Sequence, residues 1–149
     1  RIMAEHNIIG QKGEQIAVET MRKKGFRVVD TNWKFGHLEM DVIAVNRKEI
    51  AFVEVKTRTS SFGDKRPEEF VDELKRRRMA AAANAYIKIH QIELVPRFDI
   101  IGISMDPNTY EVKELTHLED AFLPPQRTIG KSSFSGQGRW KHRGRVIGK

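Results

Sequence analysis

The chain has no cysteine, which excludes a disulfide framework, a thiolate nucleophile and a cysteine-ligated zinc site, and accords with a reducing cytoplasm. No apolar run approaches the roughly 20 residues that span a bilayer, and Arg1-Ile2-Met3-Ala4-Glu5 offers no apolar leader core. A cytoplasmic protein without membrane association is expected. Acidic residues are missing after Phe122, whereas basic ones continue through Arg127, Lys131, Arg139, Lys141, Arg143, Arg145 and Lys149. The net charge of +7 resides there, because the 20 Asp and Glu are balanced by Lys and Arg elsewhere. The five histidines show no ligand spacing.

What is present divides into two parts. Residues 1–123 suit a single domain with a real core, and residues 124–149 form a basic tail. The tail opens with Pro124-Pro125, is rich in Ser, Gly and Arg, and lacks apolar periodicity, so disorder is expected. Arg139, Lys141 and Arg143 there read as an electrostatic hold on nucleic-acid phosphates, with Phe134 and Trp140 available to stack on bases. A solubilising terminus or a docking segment for a protein partner would use the same composition.

Along the domain, the spacing predicts a helix from about His6 to Lys24, closed by Gly25, and a strand from Phe26 to Asn32. Two apolar strands follow around the polar break Asn46-Arg47-Lys48-Glu49. Pro67-Glu68-Glu69 has the proline and acids of a helix start, and that helix is expected to run through Leu74, Ala81, Ala82, Ala85 and Ile89. Pro96 to Ser104 reads as a strand with Phe98, Ile100 and Ile101 at its core, turning at Asp106-Pro107-Asn108 into a short partner, Tyr110 to Leu115. Both faces of the central hairpin are apolar, so a mixed sheet covered by helices on both faces is expected, an α/β fold.

The hairpin carries charges that its apolar character does not invite. Asp41 interrupts Leu38-Glu39-Met40-Asp41-Val42-Ile43-Ala44, and Glu54 and Lys56 interrupt Ala51-Phe52-Val53-Glu54-Val55-Lys56-Thr57. An even-length loop pairs Val45 with Ile50 and Ile43 with Phe52, which sets Asp41 opposite Glu54 and Glu39 opposite Lys56 on one face. Opposed carboxylates repel, and burial raises the cost. A hard divalent cation, Mg²⁺ or Mn²⁺, relieves that conflict, with Asp41, Glu54 and the carbonyl of Val55 as ligands. Internal salt bridges, Glu39 to Lys56 and Asp41 to a base elsewhere, relieve it too. Glu14 lies on or beside the buried stripe of the first helix, where it either reaches this cluster or faces solvent.

Phosphodiester hydrolysis needs such an ion, an aligned water and help in removing its proton, and Lys56 is placed to assist. Arg58, at the end of the same strand, and Lys75, Arg76 and Arg77 on the following helix are candidate phosphate contacts, although basic runs on helices also serve as solvated faces.

Asp41 with Glu54-Val55-Lys56 resembles the PD-(D/E)xK nuclease superfamily, with Met40 where the proline of that motif would stand. Gly10, Gly13-Glu14, Ala17, Gly25, Asn32-Trp33, Glu39-Met40-Asp41, Phe52-Val53-Glu54-Val55-Lys56-Thr57-Arg58, Lys75, Arg97-Phe98-Asp99 and Ala121-Phe122 are together similar to the YraN-like bacterial family within it. The resemblance implies a restriction-endonuclease-like fold laid out like archaeal Holliday junction resolvases, in which a helix glutamate at Glu14's position joins the metal site. It also implies a Mg²⁺- or Mn²⁺-dependent endonuclease acting on DNA, branched or damaged. Asp41, Glu54, Lys56 and Glu14 would be its catalytic residues, and a homodimer would serve cutting of both strands. A non-catalytic nucleic-acid-binding protein on the same fold is the competing expectation.

Overall fold

The computed structural model describes residues 2–63, 65 and 67–123. Arg139, Lys141 and Arg143, assigned above to nucleic-acid binding, lie outside them, as does the tail expected over 124–149. In chain order the elements are α1 (Ile2–Lys23), β1 (Arg27–Phe35), β2 (Leu38–Val45), β3 (Glu49–Arg58), a 3-10 turn (Pro67–Phe70), α2 (Glu73–His90), β4 (Val95–Met105) and β5 (Val112–Leu118). The five strands form one sheet in chain order, and every neighbouring pair is antiparallel except β3 and β4. That parallel pair needs a crossover, which α2 supplies.

The helices take opposite faces. On one side Ala17 and Met21 of α1 bury Val42, Ala44, Ala51, Val53, Ile101 and Ile103. On the other, Met79, Ala82, Ala83 and Tyr86 of α2 bury Ile43, Ile50, Phe52, Phe98 and Ile100. The sheet is therefore mixed and flanked on both faces, consistent with a nuclease-like α/β domain. No helix of the described residues is long and apolar enough to cross a membrane.

α1 ends where Gly25 adopts φ +94, which lets the Gly25 amide reach Arg22 O and the Phe26 amide reach Met21 O, both at 3.0 Å. The β2–β3 turn is closed by Asn46, whose Oδ1 accepts from the amides of Lys48 and Glu49. This fixes the expected register, Val45 to Ile50 and Ile43 to Phe52.

Two expectations need correction. α2 begins at Glu73, not at Pro67: the chain makes one 3-10 turn, breaks, and restarts behind Asp72, whose side chain accepts from the Lys75 amide at 2.8 Å. Its buried stripe runs through Met79, Ala82, Ala83 and Tyr86, leaving Leu74 and Ile89 each 51% exposed. The β2–β3 ladder stops at Val42–Val53, so Glu39 does not oppose Lys56; it pairs with Lys34 of β1 and is exposed.

The physical reason for the last lies on β1. Asn32 takes a left-handed conformation, φ 51, within a register that sets it across from Asp41. Strict alternation breaks at this point, for Met40 joins the α2-side core while Val42 joins the α1 side.

Candidate functional site

The break in alternation turns Asp41 toward β3 within the sheet. Its Oδ2 accepts from the Val55 amide at 2.8 Å, taking the place of the ladder that ended two residues earlier. In a strand the N–H and C=O of one residue point to the same side, so the Val55 carbonyl also faces this gap. Glu54 brings its carboxyl to the same place and shares a hydrogen bond with Asp41.

Two acids side by side and largely removed from water hold protons tightly. Burial, with the Asp41 charge beside it, pushes Glu54 up to about 7, against the partial relief of Lys75. Asp41 is raised as well, by burial first, although the Val55 amide and Lys75 oppose the rise. The pair titrates as a unit.

Lys75, in the first turn of α2, places Nζ 3.4 Å from Glu54 Oε2, with side-chain exposures of 35% and 13% respectively. Glu14 approaches from α1. Its Oε1 accepts from Asn32 Nδ2 at 2.7 Å, and burial, together with the nearby Asp41 charge, raises its pKa. What brings α1 so near is Gly13, where a Cβ would overlap the Thr57 methyl of β3. Glu14 also forms part of an open groove of about 470 Å³ between α1 and β1.

Lys56, two residues beyond Glu54 on β3, is half-buried and has no ion-pair partner among the described residues. Arg58 is seated over the rings of Phe62 and Phe70, at 5.1 and 5.7 Å. Arg76 donates from Nε to Val71 O at 3.1 Å and lies over Phe122, while Arg77 is half-buried on α2. The structure thus gathers Asp41, Glu54, Val55, Lys75 and, at the margin, Glu14. Lys75 faces the acids; Arg58 rests on the rings of Phe62 and Phe70, and Arg76 on that of Phe122. Among the described residues no three acidic or histidine side chains converge closely enough to enclose an ion by themselves.

A second charged group has no counterpart among the site residues read from the sequence. Asp99 of β4 is fully buried, with Oδ2 2.9 Å from Arg97 Nη2 and 2.8 Å from His117 Nε2, and Oδ1 accepting from the Asp120 amide at 3.0 Å. Lys24 Nζ donates to His117 Nδ1 at 2.8 Å, which assigns the ring proton to Nε2, facing Asp99. The available signal is Arg97 and Asp99 at alternate positions of an apolar strand, the same criterion that flags Glu54 and Lys56.

Residues 13–103 match the family model described as uncharacterised protein family UPF0102. A UPF0102 protein of Parabacteroides distasonis is 42% identical over 125 residues, covering 84% of this chain and 100% of its own length. One from Bacteroides thetaiotaomicron is 40% identical over 123 residues, covering 83% and 98%. Another, from Porphyromonas gingivalis, is 39% identical over 120 residues, covering 80% and 87%.

Proposed function

The chain belongs to the UPF0102 family, the YraN-like family anticipated from its motifs, and we propose that it is a metal-dependent endonuclease hydrolysing phosphodiester bonds in DNA, preferentially branched or damaged DNA. One observation carries this reading: Asp41 and Glu54 meet in a sheet gap with raised pKa values, with Lys56 next along the same strand.

The donor set fits a hard divalent cation. The two carboxylates and the Val55 carbonyl would offer oxygen donors to the ion, with water completing its shell and Glu14 acting through water. When bound, Mg²⁺ or Mn²⁺ supplies neutralisation of the phosphate's non-bridging oxygens. Asp41 and Glu54 hold that charge in place, with Asp41 itself fixed by the Val55 amide. Lys56 orients the attacking water or takes its proton. Lys75, Arg58, Arg76 and Arg77, with the tail arginines and Lys141, are the proposed phosphate contacts. A symmetric pair of subunits would place two such sites on one branched substrate, and the cytoplasm is the proposed compartment.

A non-catalytic nucleic-acid-binding role is the second reading, favoured by Lys75, which already neutralises part of the charge on Glu54. Branched, nicked, single-stranded and duplex DNA incubated with Mn²⁺-loaded protein separate the two. Cleavage lost in Asp41→Ala and Lys56→Ala supports the nuclease; salt-sensitive binding without turnover supports the second reading; cleavage surviving in both variants is contamination and counts against the first.

A further inference from the structure

We infer that Lys75 is a built-in competitor for the divalent cation: its ammonium occupies the acid pair in the ion-free protein and transfers to a substrate phosphate when the ion binds. The inference rests on the metal reading above and concerns what the protein must give up to load it.

Lys75 sits where a lysine is disfavoured. It lies in the first turn of α2, against the positive end of the helix dipole, where acidic residues are the stabilising choice. Its backbone is pinned, because its amide donates to Asp72 Oδ1 at 2.8 Å. From there the side chain spans to Glu54, the acid that compensates the unfavourable placement. The ammonium and a divalent ion would contest the same carboxylate, and two cations a few ångströms apart repel strongly in such partly dry surroundings. The two partners differ in mobility of access: Glu54 is 13% exposed, Lys75 35%. The acid has to stay, whereas the lysine has a path outward. A flexible four-carbon stem with a compact charge suits relocation in a way that a planar guanidinium does not. Once released, Lys75 adds a further cation to the turn of α2 that carries Arg76 and Arg77.

Ion loading would then create a phosphate contact, so ion and nucleic acid each raise the other's affinity, by reciprocal linkage. This is more than charge balance. A lysine that only stabilised the fold would weaken ion binding when removed, since the acids would lose their local order.

The test is calorimetric titration of Mn²⁺ into the full chain without nucleic acid, for wild type, Lys75→Gln and Lys75→Arg. Loss of a competing, partly exposed ion pair should tighten Mn²⁺ binding by about three- to tenfold in Lys75→Gln. Lys75→Arg, which keeps the charge on a fork less suited to relocation, should bind Mn²⁺ no more tightly than wild type. In parallel, the salt dependence of duplex binding should steepen by about one phosphate contact, a slope change of about 0.9, on adding Ca²⁺ to wild type but not to Lys75→Gln. Unchanged or weaker Mn²⁺ binding in Lys75→Gln, with its ion-free melting temperature retained, overturns the inference while leaving the metal site standing. Absence of Mn²⁺ binding in all three proteins overturns both.

Discussion

Asp99 and the Asp41–Glu54 pair are buried carboxylates on neighbouring strands, yet their surroundings push them in opposite directions. Burial alone would raise Asp99, but His117, the Asp120 amide and Arg97 overcome it and hold the acid below its ordinary value. Glu54 receives one long ion pair and a second acid, and rises to about 7. The sheet has the means to neutralise a buried acid, as β4 demonstrates. That β2 and β3 leave theirs undercompensated is what supports the cation site proposed there.

The contrast can be broken most severely at β4. Asp99→Ala leaves Arg97, 10% exposed, and His117 without their shared anion, and should cost about 3–5 kcal/mol in urea unfolding. Next comes the cation: Mn²⁺ at about a hundred times its dissociation constant should stabilise wild type by about 2.7 kcal/mol and leave Asp41→Asn unshifted in a thermal melt.

Glu54→Gln should then do the reverse of Asp99→Ala, stabilising the protein above pH 7 by about 2 kcal/mol, because a neutral amide escapes the cost of a buried charge beside Asp41. The sign follows from proton binding. Between the ordinary glutamate value of 4.5 and about 7 the folded state holds more protons than the unfolded one, so stability falls as pH rises and then levels. The variant should flatten that limb. Asp99 gives the mirror image: its lowered pKa contributes stability present above the ordinary aspartate value of 3.8 and lost as pH falls below it. Smallest is the rim of the β4 network. Lys24, 40% exposed in its pair with Glu119, should cost about 0.5 kcal/mol on truncation to Ala, measured by the same unfolding.

The hairpin register was legible because period-two alternation and the polar break at Asn46 leave few even-loop solutions. So was the assignment of Val42, Ala44, Ala51 and Val53 to one face and Ile43, Ile50 and Phe52 to the other. What sequence did not disclose was the left-handed Asn32, since an asparagine inside a strand signals nothing until its φ is known. Asp41 therefore meets Glu54 through a broken ladder rather than a continued one. The late start of α2 was hidden by Pro67-Glu68-Glu69, a good helix opening that is spent on a single 3-10 turn before Asp72 provides a second. The Asp99 network stayed unread because its partners come from distant segments: Lys24 at the end of α1, His117 on β5 and the amide of Asp120.

The Val55 amide has one further consequence. β3 stays laced to β4 as far as Arg58, but its ladder to β2 ends at Val53, and Asp41 Oδ2 adds a stitch beyond it at the Val55 amide. A ligand content with Oδ1 leaves that stitch in place. One that grips both oxygens strands a part-buried amide, at about 1–3 kcal/mol, and loosens β2 from β3 beyond the Val42–Val53 pair. The exchange rate of a single backbone proton would thus report how tightly, and in which mode, the acid is being held.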